Sequence, residues 1–160
     1  MKNNFDPYDN LEARRIAENF IDYAPRTRRE VILRLQKSGF DESVIDAVVS
    51  ELEVVRLIDD ADFSQRWVEN RSSSKKLGRI RLVNELRRKG VEAEDVENAI
   101  QQLSVEEQIE TAVSIAEKKV GQENINEPAV RRRLSGFLQR KGYGWDVIEQ
   151  VLGTLTKNME

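Results

Sequence analysis

One short run of residues is written three times in this chain. Leu35-Gln36-Lys37-Ser38-Gly39-Phe40, Leu86-Arg87-Arg88-Lys89-Gly90-Val91 and Leu138-Gln139-Arg140-Lys141-Gly142-Tyr143 each place a leucine four residues ahead of a glycine and a large apolar residue directly behind it. The glycines stand 51 and 52 residues apart. The match extends outward. Eight residues before each glycine is Val31, Leu82 or Leu134; six after is Ile45, Val96 or Ile148; thirteen after is Leu52, Leu103 or Leu155. Apolar residues on one helical face, a glycine able to take the left-handed conformation, and an apolar return describe a helix, its stop and the entry to the next helix. A repeat of this length signals an array of supersecondary units, each too small to bury much surface alone. The fold expected is all-α: three tandem three-helix repeats, at 9–55, 56–103 and 104–156, forming an elongated, curved array.

Composition narrows the chemistry. Charged residues make up 34% of 160 residues, yet the apolar ones recur at helical spacing, so the chain reads as folded. Three prolines and 8 glycines suit long helices and short connections, and no run alternates long enough for a strand. Without cysteine there is no disulfide or thiolate chemistry, and without histidine any acid–base work would fall to carboxylates, Ser or Lys. Nothing arranges those residues as a site, and the phosphate loop, dinucleotide fingerprint and nucleophile elbow are absent, so a non-enzyme with no cofactor or metal is expected. No apolar run spans a membrane and no hydrophobic leader begins the chain, making a cytoplasmic monomer the default. A net charge of −3 argues against tight sequence-blind DNA binding by the chain as a whole.

Taken in order, Met1 to Tyr8 reads as a frayed lead-in. Asp9 caps a first helix with Glu12 reaching back, Leu11, Ile16, Phe20 and Tyr23 on its buried side, and Pro25 ending it. Thr27-Arg28-Arg29-Glu30 is a capping box for the second helix. Asp41 caps the third, which buries Val44, Ile45, Val48, Val49 and Leu52. In the second unit Phe63, Trp67 and Ile58 form the first apolar face, and Asn70 to Gly78 reads as a flexible polar loop. The third unit opens on a capping-box pattern at Ser104 to Glu107. Its second helix starts with Asn126 as cap and Pro128 in the first turn, and Thr156 to Glu160 frays. Asp59, Asp60 and Asp62 lack the glycine and distal glutamate of a calcium loop, and read as helix caps. Trp67 reads as core, while Trp145 admits a partner-anchor reading.

The surface is polarised. Second helices are basic (Arg28 and Arg29; Arg79, Arg81, Arg87, Arg88 and Lys89; Arg131, Arg132, Arg133, Arg140 and Lys141), whereas third helices carry acids such as Asp46, Glu97 and Glu149. Arg81 and Arg88, like Arg133 and Arg140, are seven residues apart and share a face. A helix-turn-helix reader would press the third helix on phosphates, and here it would bring carboxylates there, so any DNA contact belongs to the second helices. Two readings of the repeated arginine face stand level: solvated surfaces paired across units, or a partner-binding surface.

The stretch Phe20-Ile21-Asp22-Tyr23-Ala24-Pro25-Arg26-Thr27-Arg28-Arg29-Glu30-Val31, and above all Leu57-Ile58-Asp59-Asp60-Ala61-Asp62-Phe63-Ser64-Gln65-Arg66-Trp67-Val68-Glu69-Asn70-Arg71 with Gly78, Leu82, Glu85, Leu86, Lys89, Gly90 and Val91, resembles the RecX family. Lys76-Leu77 departs from the Lys-Pro pair the family often has before the middle-loop glycine, and the third unit matches only generically. The resemblance implies a regulator, usually an inhibitor, of the RecA recombinase. Its repeats would lie in the groove of the RecA–DNA filament and modulate ATP hydrolysis, strand exchange and SOS co-protease activity. Arg28, Arg79, Arg81, Arg88, Lys89, Arg131, Arg133 and Arg140 are the candidates to meet filament surface or DNA phosphate. The alternative is a direct DNA-binding helical protein that uses the same basic helices on single- or double-stranded DNA.

Overall fold

The computed structural model describes residues 7–158. Among them the order is α1 (Pro7–Tyr23), α2 (Arg28–Lys37), α3 (Glu42–Val54), α4 (Asp60–Ser74), α5 (Arg79–Arg88), α6 (Ala93–Gln101), α7 (Val105–Val120), α8 (Pro128–Lys141) and α9 (Trp145–Lys157), with no strand among the described residues. The helices pack in threes, and in each triplet the first and third make the most extensive contact. Ala13 and Ala17 in α1, Ser64 in α4, and Ala112 and Ala116 in α7 are fully buried, and such small residues let paired helices approach closely.

The three glycine stops are built alike. Gly39, Gly90 and Gly142 have φ of +89°, +78° and +96°. Behind them the N–H groups of Phe40, Val91 and Tyr143 donate to the carbonyls of Leu35, Leu86 and Leu138, while the glycine N–H groups donate to Gln36, Arg87 and Gln139. This pair of bonds is the Schellman motif, and it turns the following apolar residue back toward its own leucine. The Thr27 capping box has both its bonds, Glu30 N to Thr27 Oγ1 and Thr27 N to Glu30 Oε2.

Each triplet closes over its own apolar core, around Val31, Leu35 and Val48, around Leu82, Leu86 and Val96, and around Leu134, Leu138 and Ile148. Ile58 belongs to the first core rather than the second. Arg56 takes a left-handed φ of +58°, and the N–H groups of Leu57 and Ile58 both donate to Leu52, folding Ile58 back under α3.

Several local expectations are corrected. Helix α1 begins at Pro7, so Pro7 and Tyr8 are helical and Asp9 lies in the first turn rather than at the cap. Glu12 pairs with Arg15 instead. Residues 1–6 and 159–160, read above as frayed, lie outside those described, and α9 stays helical to Lys157. Leu11 and Tyr23 are 65% and 86% exposed, because the α1 face that meets α3 is set by Ala13 and Ala17. Residues 70–74 continue α4. The hydroxyls of Ser72, Ser73 and Ser74 bond back to carbonyls of Glu69 and Asn70, which satisfies them within the helix, and the connection shrinks to 75–78. Asp41 stands at the cap of α3 without a side-chain cap bond, Ser104 completes only its own half of the capping box, and Glu127 rather than Asn126 is the cap of α8.

Candidate partner-binding surface

The second helices of the three units are joined end to end. The carboxyl end of α5 meets the amino end of α2, where Thr27 Oγ1 donates to Lys89 O at 2.7 Å. The carboxyl end of α8 meets the amino end of α5, where Gly78 N donates to Lys141 O at 2.8 Å and Ile80 N to Gly142 O at 3.0 Å. At the α8–α5 joint orphan carbonyls of one helix end thus satisfy orphan N–H groups of the next, at the α5–α2 joint a cap hydroxyl does so for Lys89 O, and the helix dipoles run head to tail through α8, α5 and α2. Side chains reinforce the second joint. Tyr143 donates its hydroxyl to Lys76 O, Lys141 Nζ bonds Lys75 O, and Arg81 Nη1 bonds Arg140 O at 3.0 Å. Burial pushes the Tyr143 phenol up to about 12.

This column gathers the basic residues, but not equally. Lys89 is half-buried: its ammonium pairs with Glu30 of the first unit at 2.8 Å and lies 4.7 Å from the Trp67 ring centre. Burial alone would raise the Glu30 carboxyl, yet the Lys89 ammonium and the Thr27 N–H hold it below its ordinary value. Arg28 pairs with Glu53 at 3.0 Å, and Arg133 pairs with Glu123. Arg131 is half-buried, 3.4 Å from Thr156 Oγ1, in the shallow groove between α8 and α9 that Trp145 also lines. Trp145 is 55% exposed, its indole N–H held by Glu149. Arg79, Arg88 and Arg140 are exposed with no carboxylate partner among the described residues.

Arg81, Arg88 and Arg140 come together. With Asn84, Glu85 and Gln139 they line a groove of about 280 Å³ across the joint of α5 and α8. The pairing of Arg81 with Arg88 on one face is observed; Arg133 lies away from this groove, and Arg140 joins the α5 pair from the neighbouring unit. Glu85 is the one carboxylate lining the groove, and it is already engaged by Arg71 at 2.8 Å, by the Trp67 indole N–H at 3.1 Å and by Arg81 at 3.4 Å. Burial would raise this carboxyl; the hydrogen bonds from Arg71 and Trp67 outweigh it and hold the group below its ordinary value. The groove therefore presents guanidinium N–H groups that outnumber its single, already engaged carboxylate. Asp59, Asp60 and Asp62 sit apart from it. Asp59 caps α4, Asp60 accepts the Arg28 N–H, and Asp62 pairs with Arg66.

The roles of Glu85, Arg71, Asn84, Gln139 and Tyr143 were not read from the sequence. The one signal that could have pointed to the joint is Gly78 immediately ahead of a basic helix.

Three family models match in tandem: the first three-helix domain of RecX over residues 13–52, the second over 59–100 and the third over 106–152. A regulatory protein RecX of Streptomyces coelicolor is 40% identical over 139 residues, covering 86% of this chain and 74% of that protein. One from Mycobacterium avium is 32% identical over 158 residues, covering 97% and 91%. The crystal structure of RecX from Lactobacillus salivarius superposes with a TM-score of 0.86 at 23% identity, covering 92% of this chain and 97% of that one, a likeness of fold.

Proposed function

This chain belongs to the RecX family, and we propose that it regulates the RecA recombinase, as an inhibitor, by lying in the groove of the RecA–DNA filament. The observation that carries the reading is the head-to-tail column of second helices. It sets the exposed guanidiniums of Arg81, Arg88 and Arg140 on one groove across the backbone-bonded joint of two units. A filament repeats one surface, and weak contacts on linked units add through effective concentration, which raises avidity by about 10²–10⁴ when the geometry lets them engage together. The units bonded end to end hold that geometry without a flexible linker. Occupying the groove would slow ATP hydrolysis, strand exchange and co-protease activity without any catalytic group on this chain.

The test is DNA-dependent ATP hydrolysis by preformed RecA filaments with this protein titrated in, beside a control for binding to bare DNA. The rate falls at substoichiometric protein, and Arg88→Glu with Arg140→Glu relieves the inhibition while the helical circular dichroism is unchanged. An unaltered rate together with salt-sensitive binding to bare DNA would transfer the arginine groove to a direct DNA-binding role.

A further inference from the structure

A second surface, sharing no lining residue with the arginine groove, opens between the first two units as a cleft of about 680 Å³. One wall is the end of α1 and the turn behind it, with Ile21 and Arg26. The other is the Arg56–Leu57 turn and the face of α4 that carries Phe63. Leu57 is 43% exposed at this cleft, and next to it Val54 and Val55 are 84% and 54% exposed. The left-handed φ of Arg56 presents this apolar run at some backbone cost, since a non-glycine residue seldom adopts it.

The cleft's charges are unequally satisfied. Arg66, Arg71 and Lys89 line it, and each has a carboxylate partner, in Asp62, Glu85 and Glu30. Arg26 and Arg56 line it too and form no direct ion pair among the described residues; the Arg26 guanidinium lies over the Phe20 ring at 4.1 Å with its Nε donating to Phe20 O at 3.4 Å, and the Asp59 carboxylate, which caps α4, lines the cleft without a basic partner. A nucleobase has no aromatic face to use here. Trp67 is stacked on Phe63 at 5.6 Å, with Lys89 at 4.7 Å and Arg71 at 4.8 Å from its ring centre. An apolar floor with two guanidiniums outside any ion pair, set against the single unpaired carboxylate of Asp59, leaves positive charge in excess and complements a bulky apolar side chain flanked by carboxylates.

We propose that this cleft docks an acidic segment of a partner protein: a large apolar side chain enters over Ile21, Leu57 and Phe63, and carboxylates beside it engage Arg26 and Arg56. The proposal stands whether or not the arginine groove meets RecA. The experiment is selection of a random peptide-display library on the full chain, followed by fluorescence anisotropy of the enriched peptides against variants. The selected peptides should cluster Asp and Glu around a bulky apolar residue. Their affinity should fall at least about tenfold in the Arg26→Gln/Arg56→Asn double variant and in Leu57→Asp. Asparagine tolerates the left-handed turn at position 56, so lost binding there reports charge rather than misfolding, and thermal unfolding of each variant checks this. An oligothymidylate should not displace the peptides. The proposal is overturned if no acidic–apolar peptide is enriched, if the variants bind such peptides as the parent does, or if the oligonucleotide competes with the same arginine dependence, which would make the cleft a phosphate site.

Discussion

Alanine at Gly142 tests whether the repeated glycine is a helix stop alone or also a joint. The three glycines share their φ sign, but their surroundings differ. At Gly39 an added Cβ meets nothing within 4 Å. At Gly90 it falls inside van der Waals contact of Arg29 Cδ, which can swing aside, and 2.7 Å from Arg29 Cβ, which moves only with the α2 backbone. At Gly142 it falls inside van der Waals contact of Arg81 Cβ and 2.6 Å from the Arg81 backbone nitrogen, which cannot move without displacing α5. Left-handed backbone on a residue with a Cβ costs about 1–2 kcal/mol, and that is the whole penalty expected for Gly39→Ala. Gly142→Ala adds the two backbone bonds of the joint, Gly78 N to Lys141 O and Ile80 N to Gly142 O, at about 1 kcal/mol each, for a total of about 3–4 kcal/mol. Gly90→Ala should fall between. The assay is urea unfolding followed by circular dichroism and by tryptophan fluorescence, using Trp67 as reporter of the second unit and Trp145 of the third, each in a background lacking the other. Because each unit has its own core, the parent chain should unfold with coincident probes only while the joint holds, and Gly142→Ala should separate the two fluorescence midpoints. If Gly39→Ala and Gly142→Ala destabilise equally and the probes stay coincident, the joint does not couple the units.

Two more outcomes follow from groups beside that joint. Tyr143→Phe should cost about 1 kcal/mol through the lost bond to Lys76 O and remove a tyrosinate absorbance step near pH 12. The phenol's raised value means its stabilisation is complete below about pH 10, the unfolded value, and fades as pH rises toward 12, so a Tyr143 phenol that titrates at about pH 10 would contradict the burial argument. Glu85→Gln should cost about 1–3 kcal/mol at pH 7 by weakening the bonds to Arg71, Trp67 and Arg81. The carboxyl is depressed in the fold, so its contribution is present above the ordinary carboxylate value and lost as pH falls through the lower folded one. The parent and the variant should therefore converge in stability once the pH falls below that depressed folded value, and a gap constant with pH would show that the charge is irrelevant.

Much of this architecture could be read without coordinates because it is periodic and local. The all-α class, three of the turns and most core positions follow from apolar spacing, since a helix repeats every 3.6 residues wherever it sits. The left-handed stops follow from glycine's missing Cβ, and the Thr27 box from side-chain oxygens bonding N–H groups three residues away. The same local reasoning misplaced Leu11 and Tyr23, because which face of α1 is buried depends on small residues meeting α3. It also read 70–74 as loop, because serine hydroxyls that satisfy themselves inside a helix look in sequence like turn formers. The basic second helices were legible as a stripe, but not which charges remain free. Lys89, Arg28 and Arg133 are taken by Glu30, Glu53 and Glu123, whereas Arg81, Arg88 and Arg140 converge on one groove from two units. That division was left to tertiary structure because the α8–α5 joint is made by backbone N–H and C=O groups of residues about 60 apart, such as Gly78 and Lys141, and every residue type carries those groups alike, so no pattern of side chains announces where they will meet.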